Sequence, residues 1–194
     1  MIPVLQMAHR ARENRADKSR PVVIAIDGRA GSGKSTLSRY LRLVIGSMRS
    51  CVKTDDFFLP EHLRTPERLA TPGGNVHHER FALEVLPHLT KGEPFSYGYY
   101  DCFEGGIAGQ QQVIPGDWIV VEGSYSLHPA FGDYADLKIF VDVDPETQEE
   151  RILDRDGEGL AKRFREQWIP MEEAYFDAFG IREKADLVMR YDAF

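Results

Sequence analysis

The segment Gly28-Arg29-Ala30-Gly31-Ser32-Gly33-Lys34-Ser35 satisfies G-x-x-x-x-G-K-[ST] at every position, and it constrains the fold more than any other feature of the chain. The motif has a mechanical reading only where a strand feeds it and a helix leaves it. Both flanks comply. Pro21 opens the β-branched run Val22-Val23-Ile24-Ala25-Ile26, which fits a strand buried on both faces, and a helix is predicted from about Gly33 to Val44. The glycines let the backbone close on phosphate oxygens with successive N–H groups pointing inward, and the helix adds the positive end of its dipole. Gly28, Arg29, Ala30, Gly31, Ser32 and Gly33 are then expected to line an ATP phosphate site. Lys34 would bridge the β- and γ-phosphates, Ser35 would bind Mg²⁺, and Thr36 follows as an α-phosphate donor or a helix-start residue. The dinucleotide fingerprint G-x-G-x-x-G fails here, because Gly31-Ser32-Gly33 is followed by Lys34-Ser35-Thr36.

Strand and helix patterns alternate around this loop, which predicts an α/β fold with a mainly parallel sheet: a P-loop NTPase three-layer α/β/α sandwich. Cys51 to Thr54, Trp118 to Glu122, Leu137 to Val143 and Leu187 to Met189 read as further strands. Asp144-Pro145 starts a helix, Leu160 to Trp168 is another, and Pro170 should kink or restart the helix that continues from Met171 to Phe179. Residues from about 60 to 116 differ, being rich in Pro and Gly around one helical segment from about His78 to Leu89 and a strand-like alternation of Phe95, Tyr97 and Tyr99. We read them as an inserted substrate-side region, and residues 1–20 as an amphipathic helix docked through Val4, Leu5, Ala8 and Ala11, all within one domain spanning 1–194.

The 194 residues suit one compact domain, and no apolar run approaches the length of a membrane span. A net charge of −7 argues against a nucleic-acid binder. The basic excess is confined to residues 1–20, at +3, leaving −10 for the rest, and reads as a solvated helix face. Cys51 and Cys102 form no disulfide framework and are read as packing residues, and with no recognisable secretion signal a cytoplasmic location is expected. The implied partners are ATP and a small-molecule acceptor, with neither nucleic acid nor membrane; self-association into a homo-oligomer stays open.

In parallel sheets the ligand crevice lies at the C-terminal strand ends. Asp55-Asp56 and Glu122 fall at such ends. Phosphoryl transfer to a hydroxyl needs positioning, charge neutralisation and often a carboxylate to take the proton, so Asp55 is the candidate base and Glu122 a candidate for the Mg²⁺ site.

Together these residues resemble the uridine/cytidine kinase-like branch of P-loop kinases, related to phosphoribulokinase and pantothenate kinase. The resemblance runs from about Val22 to Met189 and rests on the phosphate loop, Thr54-Asp55-Asp56-Phe57-Phe58, Asn75-Val76-His77-His78-Glu79-Arg80-Phe81, Tyr100-Asp101, Val121-Glu122-Gly123 and Arg155-Asp156 with Ile169-Pro170. It implies transfer of the ATP γ-phosphate to a nucleoside hydroxyl, with Asp55 as base and Phe58 and Tyr100 as acceptor contacts. His77 stands where the family has a ribose-binding acid, and Phe58 where it has a tyrosine. The family's arginine-rich lid maps to about residues 155–165, where Arg155 is retained and Arg163 is the candidate substitute. A non-nucleoside acceptor such as pantothenate or a sugar, or a nucleotide-binding regulatory module with little catalysis, are the alternatives.

Overall fold

The computed structural model describes residues 2–15, 17–102 and 104–190. Its strands in chain order are β1 (Val22–Gly28), β2 (Cys51–Lys53), β3 (Phe95–Asp101), β4 (Gly106–Val113), β5 (Trp118–Glu122), β6 (Leu137–Asp142) and β7 (Leu187–Arg190). The helices are α1 (Ile2–Asn14), α2 (Lys34–Val44), α3 (Pro66–Ala70), α4 (His78–Glu84), α5 (Leu86–Leu89), α6 (Pro145–Arg163) and α7 (Ile169–Phe179). One sheet has the order β2-β5-β1-β6-β7 with every neighbouring pair parallel. β1 is flanked on both sides, which is why its residues are buried throughout and its sequence shows no alternation.

Alternate residues of each strand feed two cores. Ile24, Ile26, Val120, Ile139 and Val141 pack with Leu37 and Leu41 of α2 and with Val4 and Ala8 of α1. Val23, Val52, Val121 and Phe140 pack with Phe81 of α4 and with Tyr175 and Phe176 of α7. Burying each such aliphatic side chain contributes roughly 1.5–3 kcal/mol, so helices on both faces of the sheet are held chiefly by this stripe matching. The sandwich is the α/β P-loop architecture that the pattern predicts.

Two elements and one cysteine differ from expectation. The helix expected over His78–Leu89 is two helices broken at Val85 (φ −120°, ψ −57°), because Pro87 supplies no N–H and its ring crowds the carbonyl four residues earlier. The sequence pattern predicts no strand at β4, yet its Gly- and Gln-rich residues pair antiparallel with β3 as a separate two-stranded sheet. Cys102 is exposed and packs in no core, since it sits past the end of β3 where the hairpin turns; Cys51 is buried. Ahead of Pro170 the chain widens into a π-helical turn at Phe164–Trp168, which absorbs the misfit without ending the helix.

Candidate active site

The phosphate loop joins β1 to α2 with Gly28, Gly31 and Gly33 at φ 136°, 70° and 95°, conformations that side chains rarely tolerate. A Cβ on Gly28 would stand 2.0 Å from the Val141 carbonyl oxygen. Behind the loop lies Asp27, fully buried at the end of β1. Its carboxylate accepts from Gly28 N (2.7 Å), Tyr125 N (3.1 Å), Leu127 N (2.9 Å) and the Tyr175 hydroxyl (2.8 Å). Burial pushes its pKa up to about 6, against these hydrogen bonds and the Lys34 charge. Tyr125 holds φ 70° at this point, a strained conformation tied down by its bond to Asp27.

Lys34 is buried and folds back on the loop, donating to the Gly28 and Arg29 carbonyls at 2.7 Å each. Ser35 donates to Glu122 Oε2 at 3.1 Å, so the loop and the end of β5 meet through these two side chains. Asp55 lies on a 3₁₀ turn, Thr54–Phe57, that follows β2. The residue is exposed, yet the protein packed around its carboxyl raises its pKa while Lys34, Lys53 and Arg155 lower it. Glu122 is raised by burial and then by the like charge of Asp55, and lowered by Ser35 and Lys34. Asp55, Glu122 and Lys34 therefore share one electrostatic field.

The turn carrying Asp55 is set by Gly123. Thr54 Oγ1 donates to the carbonyls of Glu122 (3.2 Å) and Ser124 (2.9 Å). A Cβ on Gly123, at φ 129°, would lie 2.3 Å from that hydroxyl. Gly123→Ala is expected to cost about 2–5 kcal/mol by strain and overpacking, and to lower kcat by displacing Asp55. Urea denaturation alongside steady-state kinetics checks both; unchanged stability would show that the turn adapts.

The residues expected on the acceptor side are placed less uniformly. Phe58 forms an antiparallel bridge with Val76, and His77 N donates to the Phe57 carbonyl, so Phe58 and His77 are neighbours. His77 caps α4, accepting from Arg80 N at 3.3 Å, with Glu79 3.2 Å from the same Nδ1. Tyr100 is held by the Arg64 guanidinium, 3.2 Å from its hydroxyl. Tyr97 turns inward from its strand: it is buried against Phe57 and donates to Asp56 at 2.8 Å. Within the 155–165 segment two arginines rest on aromatic rings, Arg155 over Phe164 and Arg163 over Trp168, with Arg155 also paired to Asp156, while Arg165 pairs with Glu149 and Glu158. Gly157 (φ 74°, ψ 169°) kinks α6 between them. Arg29 points away from the cradle, bonded to Asp142 and Glu173.

Sequence reasoning missed Asp27, Lys53, Arg64 and Glu172. Asp27 carried a signal, an acid closing a buried strand directly before the loop. Glu172 carried none, being one acid among several on a surface-like helix.

No family model matches the chain. Over 154 residues it is 32% identical to a uridine kinase from Geobacillus kaustophilus, an alignment covering 75% of this chain and 72% of that enzyme. The chain belongs to the uridine kinase family. It is 27% identical over 179 residues to uridine kinase-like protein 5 from Arabidopsis thaliana, covering 84% of this chain but 37% of that longer protein. A possible uridine kinase from Bacillus stearothermophilus superposes with a TM-score of 0.66 at 18% identity, covering 97% of this chain and all of that one, which shows the shared fold. As a member of the uridine kinase family the protein is a P-loop small-molecule kinase, and no helix among its described residues is long and apolar enough to cross a membrane.

Whether the site suits Mg²⁺ follows from its donors. The family uses ATP, for which Mg²⁺ is the usual companion ion. That ion takes few protein ligands and leaves its other positions to phosphate and water. Ser35 and Glu122 offer adjacent oxygens beside the loop, and Glu122 and Asp55 repel one another as anions. The residues fit.

Proposed function

We propose that the protein transfers the γ-phosphoryl group of ATP to a hydroxyl of a nucleoside of the uridine or cytidine type. The observation that carries the chemistry is the convergence of Lys34, Ser35, Glu122 and Asp55 at the ends of β1, β2 and β5. The nucleoside acceptor rests on the 32% identity to a uridine kinase. Loop amides from Gly28 to Ser35 and the Lys34 ammonium bind the phosphates, with Thr36 at the start of the helix. Ser35 and Glu122 hold Mg²⁺, which neutralises phosphate charge when bound. Asp55 accepts the proton as the acceptor oxygen bonds to phosphorus and the bond to the ADP oxygen breaks. Arg155 and Arg163 leave their aromatic rests to meet the transferring group, while Phe58, His77 and Tyr100 contact the acceptor.

A non-nucleoside acceptor is the second reading, favoured by one observation: His77 Nδ1 is already committed to accepting from Arg80 N. An ADP-release assay across nucleosides, pantothenate and sugars separates the readings. The greatest kcat/KM is expected for uridine or cytidine. Faster turnover of pantothenate or a sugar would replace the nucleoside, and ATP binding without ADP release from any acceptor would point to a regulatory module.

A further inference from the structure

Three side chains of α7 reach back to the start of the phosphate loop. Tyr175 donates to Asp27, Glu173 accepts from Arg29, and Glu172 Oε2 accepts from Ala30 N at 2.9 Å. Glu172 is 5% exposed, and its other oxygen accepts from Ser124 Oγ. From α6, Gln148 donates to the Ala30 carbonyl at 2.9 Å and Arg151 to the Gly31 carbonyl at 3.2 Å. Residues just before and just after the 155–165 segment thus clasp the loop.

One peptide unit concentrates this clasp. The Arg29–Ala30 peptide presents its carbonyl to Lys34 Nζ at 2.7 Å and its N–H to Glu172. Its dipole lies between a cation and a carboxylate, with the favourable end facing each. The adjoining Gly31, at φ 70°, leaves the backbone here conformationally free, so the orientation of the unit must come from outside the loop. A buried carboxylate is expensive to keep, and an apolar residue at position 172 would leave Ala30 N without a partner.

We infer that Glu172 is a positioning residue that orients the Arg29–Ala30 peptide, and through it Lys34, for the nucleotide's terminal phosphates. The kinetic arm of its test rests on the kinase reading above; the binding arm does not. Glu172→Gln keeps an oxygen for Ala30 N and an NH₂ for Ser124, so it preserves the geometry and removes the charge. Glu172→Ala removes both contacts. In the full chain, titration with a fluorescent ATP analogue is expected to show Glu172→Gln within a fewfold of wild type. Glu172→Ala should lose roughly 10- to 100-fold in kcat/KM for ATP, with KM for the acceptor unchanged. Should Glu172→Ala fail to fold, as its circular dichroism melt would reveal, Glu172→Met fills the volume and carries the same expectation. Wild-type ATP affinity and kcat in a folded Ala or Met variant would overturn the proposal. So would a Gln variant as defective as Ala, because charge rather than orientation would then matter. Because analogue binding needs no acceptor, a wrong acceptor assignment leaves this result readable.

Discussion

Asp55→Asn is expected to lower kcat by roughly 10²- to 10⁴-fold, the usual contribution of a positioned general base, while ATP affinity stays within a fewfold. The substitution keeps the size and hydrogen-bonding shape of the side chain and removes only its capacity to take a proton. Asp55 hangs on the turn fixed by Thr54 and Gly123, so its backbone frame survives the change. Crowding around the carboxylate raises its pKa, with Lys34, Lys53 and Arg155 opposing. The acid limb of kcat/KM in the wild type should therefore fall above the usual aspartate range, and it should vanish from the residual activity of the variant. A pH-rate profile with isothermal titration of ATP measures both. Turnover within tenfold of wild type would remove Asp55 from the base role.

Lys34→Met should lower kcat/KM for ATP on the order of 10³-fold, as the loss of a preorganised cation facing transferred charge does. A second consequence comes from the same ammonium. Asp27, Asp55, Glu122 and Glu172 each have Lys34 among the charges that hold their pKa down. Without it all four rise further above their unfolded values. A carboxyl with a raised folded pKa supports folding at low pH and loses that support as pH rises through the folded value. The deficit in melting temperature relative to wild type should thus be larger at pH 8 than at pH 5. Equal deficits at both values would show that Lys34 does not balance the buried acids.

The phosphate-loop half of the candidate site was legible because it is local. Residues 28–35 contain their own turn glycines, cation and hydroxyl, and the run before them fills a strand with no help from distant residues. The acids at positions 55 and 122 were readable for a related reason: each falls at or just past the end of a strand, and parallel strands deliver their C-terminal ends to one edge. The acceptor side was less so. Tyr97 alternates with Phe95 and Tyr99 as a pocket wall would, yet its hydroxyl turns inward to Asp56. β4 contains Gly106, Gly109 and three glutamines, so its pairing with β3 shows in no apolar period.

By itself, then, the amino-acid sequence determined the phosphate loop, the alternation that makes a parallel sheet, and which strand-end acids could face the loop. Only the tertiary structure decided the strand order β2-β5-β1-β6-β7, the resting place of Lys34 on its own loop carbonyls, and the reach of Glu172 across 142 residues of chain to Ala30. The division has a physical cause. Turn geometry, β-branching and helix capping act between residues a few positions apart. A buried carboxylate is selected by the unpaired N–H that packing brings to it, and no pattern along the chain records which distant donor that will be.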